Sequence, residues 1–164
     1  MSDQADVRLR RWTDVDLPLL WAANTPDMTR FLVAPEPDEQ ILRRHERYLR
    51  GWDVDDPRMF AIVDSRGVGL GSIGWWKGSF QGPVKEVGWA VLPEAQGRGV
   101  ASAALRELLR LLEESGSTVP VMACPRVENL ASNALCASVG FVLEETSPAE
   151  FRGETMMLNW WVRR

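Results

Sequence analysis

The 164-residue sequence predicts an α+β fold: a mixed, mostly antiparallel sheet flanked by helices, with one parallel βαβ unit. Three observations carry that prediction. Stretches of period-two alternation recur between stretches of helical spacing, so strands and helices are interspersed. Three strand-like runs in the middle are separated by short Gly- or Pro-bearing turns, as in an antiparallel meander. The last of these, Lys85–Leu92, is followed by a leucine-rich amphipathic segment and another apolar run, which has the length of a parallel crossover.

Each element has its own reason. "VRLRRW" (Val7–Trp12) alternates apolar and charged residues as a half-buried strand does. "TDVDLPLLWAAN" opens with Thr13 as an N-cap and acidic residues in the first turn, so a helix is expected. After the connection "PEPDEQ", residues Ile41, Leu42, His45, Tyr48 and Leu49 fall at helical spacing. His45 reads there as a helix-face residue before it reads as a base. "MFAIVD", "VGLGSIGWW" and "KEVGWAVL" are the three central strands, with "KGSFQGP" as a loop and Pro93 as a stop. "ASAALRELLRLLEES" places Ala101, Ala104, Leu105, Leu108, Leu109 and Leu112 on one stripe. "VPVMACP" is a buried strand, "ENLASNALCASVG" a short helix with Gly140 at its C-cap, and "FVLEETS" and "ETMMLNWWVRR" two antiparallel strands. Trp75, Trp76, Trp89, Trp160 and Trp161 are expected to fill core and groove.

The bulk numbers bound the function. A chain of this length is expected to form one domain over residues 1–164, with a core that needs no disulfide or metal. A net charge of −4 disfavours nucleic acid or an anionic membrane as partner. The start "MSDQADVRLRRW" has no apolar core of signal-peptide length, so a cytoplasmic location is the default. Cys124 and Cys136 read as free thiols in a reducing compartment, and with one histidine no zinc site is expected.

Two glycine motifs invite a phosphate. "GLGSIG" matches G-x-G-x-x-G at Gly69, Gly71 and Gly74, but the β-prone "WWKGSFQGP" follows it rather than a helix. A dinucleotide fingerprint must open a helix, so these glycines instead suggest a bulge or a close backbone approach. "QGRGVA" does lie between a strand and a strong helix. Main-chain N–H groups before a helix are unpaired and the macrodipole adds positive charge, while Gly97 and Gly99 remove the Cβ atoms. Arg98, Arg106 and Arg110 add charge. This stretch alone leaves an anion cradle and an ordinary strand-to-helix turn both open. No Lys-Ser/Thr follows, so a nucleotide-hydrolysing loop is excluded.

"EVGWAVLPEAQGRGVASAAL" resembles the acyl-CoA-binding motif of the GNAT superfamily of N-acyltransferases. The signature (Gln/Arg)-x-x-Gly-x-(Gly/Ala) is met by Gln96, Gly99 and Ala101. "ENLASNALCASVGF" resembles the family's second motif through Asn129, Ser132, Gly140 and Phe141. The order of elements agrees with a GNAT-like fold along nearly the whole chain. The N-terminal "RLRRWTDVDLPLLW" is most similar to the RimJ/RimL-like branch, which acetylates protein N-termini or small amines.

The resemblance implies a chemistry. Acetyl-CoA would be the co-substrate, with no metal, and a primary amine the acceptor. The pyrophosphate would rest on Gln96, Gly97, Arg98, Gly99, Val100, Ala101 and Ser102. The pantetheine arm would lie beside Val91 and Leu92, and Asn129 would bond it or cap the following helix. Glu86, at the start of the central strand, stands where relatives carry a base; its other reading is a solvated strand residue. Cys136 occupies the slot of the family's tyrosine acid, yet a buried Cys is commonly a core filler. Ser132 is a second donor, and solvent a third. Asp27, Glu36, Asp38, Asp55 and Asp56, in the early connections, would attract a cationic acceptor. The expected reaction is direct attack in a ternary complex. Its alternatives are acetylation of an aminoglycoside-type small molecule and a non-catalytic acyl-CoA-binding domain. An exposed last strand would permit a homodimer.

Overall fold

The computed structural model describes residues 5–164; the opening residues of "MSDQADVRLRRW" fall outside that range. In chain order the elements are β1 (Val7–Arg11), a 3-10 turn (Asp14–Asp16), α1 (Leu17–Ala22) and α2 (Asp38–Val54). Then come β2 (Arg58–Asp64), β3 (Gly69–Ser79), β4 (Pro83–Val91), α3 (Val100–Glu114) and β5 (Val121–Ala123). The described chain closes with α4 (Leu130–Ser138), β6 (Val142–Phe151) and β7 (Glu154–Arg163). The seven strands form one sheet in the order β1-β2-β3-β4-β5-β7-β6. Every neighbouring pair is antiparallel except β4 and β5, which α3 joins as a parallel βαβ unit.

Alternation along the central strands explains the layers. Ile62, Ile73, Trp75, Val87 and Val91 point to one face and pack with Val100, Leu105, Leu108 and Leu109 of α3. Met59, Ala61 and Val63 point to the other face and pack with Trp12, Leu20 and Ile41. Ile62, Ile73 and Leu105 have no exposure at all, and each such side chain contributes about 1.5–3 kcal/mol of burial. Around Thr13 the helix entry is held by a buried carboxylate. Asp16 accepts from the Thr13 N–H at 2.8 Å and from both terminal nitrogens of Arg10 at 2.7 and 3.0 Å. His45 accepts the Trp12 indole N–H on Nδ1 at 3.0 Å, so it joins α2 to the strand end as a packing residue.

Several boundaries differ from the sequence reading. β3 runs on through Lys77, Gly78 and Ser79, pairing with Pro83–Lys85, so only Phe80–Gly82 remain of the expected "KGSFQGP" loop. β6 likewise continues to Phe151 and turns at Arg152 and Gly153, both at positive φ, the geometry of a two-residue hairpin turn. The chain's last strand is not an edge: β7 lies between β5 and β6, and β6 is the outer strand. In "GLGSIG", a Cβ on Gly71 would lie 2.1 Å from the Ala90 carbonyl oxygen. The register slips at Ile62/Val63 nearby, so the motif serves backbone packing and a bulge. No described helix is long and apolar enough to cross a membrane.

Candidate active site

The site begins where the sheet opens. β4 and β5 pair only at Lys85↔Val121 and Glu86↔Met122, although β4 continues to Val91. Leu92 N–H bonds Leu70 on the β3 side, and Lys85 N–H bonds Pro120 on the β5 side. Main-chain groups alternate along a strand, so Val87, Trp89 and Val91 turn theirs toward the gap. The Val91 carbonyl there accepts from Gln96 Nε2 at 2.9 Å. Past the pairing, Trp89 presents an N–H and a C=O on an open edge. Leu92, which the sequence reading placed beside the ligand, gives its N–H to the β3 ladder and is buried.

Two cavities flank this gap. One, of about 300 Å³, is walled by Gln96, Gly97, Gly99, Val100, Ala101 and Ser102 together with Trp89, Val91 and the start of α4. Gly97 and Gly99 have φ of 71° and 75°, and a Cβ on either would meet nothing within 4 Å. The left-handed backbone and the open space are what a turn wrapped on a ligand requires. The first bond of α3 runs from Ala103 N–H to Gly99, leaving Val100, Ala101 and Ser102 N–H without an intrahelical acceptor. Arg98 is exposed at the turn's tip, outside the cavity wall.

The second cavity, about 800 Å³, lies on the opposite face and is lined by Glu86, Trp76, Tyr48 and Cys124 among others. Trp89 and Ser132 line both cavities, so the two meet through the strand gap. Glu86 pairs with Trp76 across the β3–β4 ladder. Burial pushes its carboxyl above the ordinary range, and the Trp76 indole pulls it part of the way back. Asn129 caps α4, accepting from Ser132 N–H at 3.2 Å, and its residue also lines the larger cavity.

The structure does not bring Cys136 to this site. It has no exposure, packs in the α3–α4 core, and lines neither cavity. Burial raises its thiol to about 12. The thiol in the cavity is Cys124, just after β5, held well above its usual range by burial and then by the nearby Glu86. Two further residues escaped the sequence reading. One is Trp89, taken there as filler only. The other is Asn133, whose Nδ2 donates to the Arg126 and Asn129 carbonyls and whose Oδ1 accepts from Asn159 and Trp161. Only the tertiary structure reveals it, as a half-buried amide whose four partners fix the loop.

The expected acidic patch is dispersed. Asp27 pairs with Arg30, and Asp55 with Arg58. Of the five acids only Glu36 and Asp56 line the larger cavity, and Glu36 is bound by both Arg44 and Arg152. Among the described residues no group of three or more His, Cys, Asp or Glu is placed to hold a metal ion.

Comparison with known proteins agrees with this architecture. RimL, a ribosomal alpha-N-protein acetyltransferase, superposes with a TM-score of 0.78 at 19% identity, covering 96% of this chain and 90% of that one. The ribosomal-protein-alanine N-acetyltransferase of Brucella melitensis gives 0.78 at 23% identity, covering 95% and 98%. The spermidine N-acetyltransferase of Vibrio cholerae, solved with CoA and spermine, gives 0.77 at 21%, covering 96% and 95%. These likenesses concern the fold. No curated protein matches the sequence itself. The model of the acetyltransferase (GNAT) domain matches residues 6–142, which include the glycine turn, the strand gap and α4. With most of its length matched, this chain belongs to the GNAT acetyltransferase family.

Proposed function

We propose that this protein transfers an acetyl group from acetyl-CoA to a primary amine by direct attack in a ternary complex. The observation that carries the reading is the meeting of two cavities at Trp89 and Ser132, through the gap between β4 and β5. A thioester threaded through that gap has its phosphates on one face of the sheet and its acyl group on the other.

The diphosphate is held by the turn, where the Val100, Ala101 and Ser102 N–H groups lack an intrahelical acceptor at the positive end of α3. The pantetheine amides pair with Trp89 as a short added strand, and the Trp89 N–H polarises the thioester carbonyl as charge develops there. Glu86, on the acceptor side, takes the proton that an ammonium must lose before it can attack. A carboxyl raised by burial is better matched to that task than an exposed one. The amine nitrogen bonds the carbonyl carbon, the C–S bond breaks, and the departing sulfur takes up a proton. Ser132, which lines both cavities, stabilises that sulfur by hydrogen bonding. Cys136 is withdrawn into the core, and Cys124 is kept protonated by its surroundings, so neither favours a covalent acyl-enzyme. Asn129 acts as the cap that fixes Ser132.

The test is thiol release from acetyl-CoA with peptides starting in Met, Ser or Ala, with polyamines and with aminoglycosides. Turnover with any acceptor supports the reading. Saturable acetyl-CoA binding with no thiol release across the panel would replace it by a non-catalytic binding domain.

A further inference from the structure

The larger cavity has an unexpected charge pattern for an enzyme of amines. Four arginines line it: Arg44 and Arg47 from α2, Arg126 from the loop after β5, and Arg152 from the β6–β7 turn. They come from three separate segments and face one space. Three of them are largely covered, with side-chain exposures of 25%, 30% and 26% for Arg44, Arg126 and Arg152. Partial burial matters because such charges are screened less than those on an open surface.

Carboxylates in the cavity wall itself balance them only in part. Glu36, at 13% exposure, is the single carboxylate shared by Arg44 and Arg152, so that group keeps one net positive charge. Arg47 has no ion pair among the described residues. Arg126 is ion-paired with Glu128, Nε to Oε2 at 3.0 Å, but off the hydrogen-bond line, so the buried Nε–H makes no hydrogen bond among the described residues. Glu128 is not part of the cavity wall. Three further carboxylates line the cavity, Asp56, Glu86 and Glu150, and so does a fifth cation, Lys77. Asp56 accepts from the Lys77 main-chain N–H, beside that exposed lysine. Glu150 is exposed, and Glu86 is the proposed base, so the wall holds five cations against four carboxylates. A guanidinium carries five N–H donors; Arg126 gives one to the Leu32 carbonyl, Arg152 one to the Ala34 carbonyl, and Arg47 lies exposed over the Tyr48 ring.

We infer that the acceptor is an amine that also carries a carboxylate, read by Arg47 and Arg126 with the Arg44–Glu36–Arg152 group behind them. Planar bidentate recognition of a carboxylate is what arginine does better than lysine. The same charges oppose a polycation such as a polyamine. This inference rests on the acetyltransferase reading above and names the substrate class of that site. The carboxylate could belong to a free amino acid or to an acidic residue near a peptide's N-terminus, and the two arms of the experiment separate them.

Initial rates of thiol release are compared for each acid and its neutral amide: free amino acids against amino-acid amides, and Asp- or Glu-bearing peptides against Asn or Gln counterparts. A polyamine serves as the third arm. In at least one acid arm the wild type should favour the acid by about tenfold or more in kcat/KM. R47Q and R126Q should each remove most of that preference, while the rise in thermal midpoint on adding CoA stays as in the wild type. R126K should restore less than the native arginine. Equal rates for acids and amides, or preference for the polyamine, would overturn the inference and leave the acetyltransferase reading intact. No turnover with any amine would remove both.

Discussion

Glu86 is the residue whose two readings separate most cleanly by measurement. Burial raises its folded carboxyl above the ordinary carboxylate range, so the folded state binds a proton more tightly than the unfolded chain. Stability therefore falls as pH rises from the ordinary carboxylate range through the raised value, and the ionised side chain above it costs stability. As a base, however, Glu86 works only when ionised. E86Q should lower kcat by about 10²–10⁴-fold and flatten the acidic limb of the pH–rate profile, which in the wild type lies above the usual carboxylate range. The same variant should melt no lower than the wild type at pH 7. A residue that merely packs would show the reverse, with unchanged kinetics and altered melting. Cys136 is the complementary case. C136A opens a small void among Ala104, Leu108 and Phe141 and should cost about 1 kcal/mol in denaturant unfolding, with kcat unchanged. A rate loss beyond a few-fold would return Cys136 to the chemistry.

Helices and strands differ in how plainly the sequence announces them. The α3 stripe could be read directly, because leucines at helical spacing have one way to be buried together, and Leu105, Leu108, Leu109 and Leu112 are buried as that spacing requires. The glycine turn was legible for the same local reason. What remained hidden depends on partners far away in the chain. "KGS" and "SPAEF" carry weak strand propensity and become strand only because Pro83–Lys85 and Glu154–Leu158 pair with them. Cys136 and Cys124 could not be told apart by spacing, since which thiol faces the cavity is set by the end of β5 and the packing of α4. The acids of the early loops looked like a cationic-ligand site until Arg44 and Arg152 were seen on Glu36. At this scale the turn itself is testable. Gly99 sits at φ 75° as the N-cap of α3, with open space where a side chain would go. G99E places a carboxylate where the diphosphate is proposed to lie, at a backbone cost of about 1–2 kcal/mol. Ligand at a hundred times its Kd stabilises a protein by about 2.7 kcal/mol, several degrees for a chain of this size. That shift should appear in the wild type and vanish in G99E, whose melt should stay cooperative. An undiminished shift would remove the turn from CoA binding.

Across the whole molecule, the sheet contributes two faces and a single break between them. α1 and α2 cover one face and α3 covers the other, while the β4–β5 ladder stops after two pairs and connects the cavities on either side. The break is costly in isolation, because main-chain groups of Trp89 are left without a ladder partner in a half-buried strand. Closing it with the strand's natural partner would seal the route between the two cavities, and the proposed thioester path needs that route open. Asn133 shows how the opening is maintained. Its four hydrogen bonds tie α4 and the Arg126–Asn129 loop to β7, on the far side of the gap from β4. N133A leaves several of those partners unpaired and should cost about 1–3 kcal/mol, together with a raised KM for acetyl-CoA. Hydrogen exchange reads the same arrangement without altering it. In the free protein the amides of Trp89 and of Gly97–Ser102 should exchange faster than Gly88 and Ala90, which face the β3 ladder. On saturation with CoA, protection should rise at Trp89 and across the turn, while the outer strand β6, at the other edge of the sheet's second half, exchanges as before. Protection confined to the turn would place the diphosphate correctly but leave the strand gap unused, and the pairing of the pantetheine arm with Trp89 would have to be abandoned.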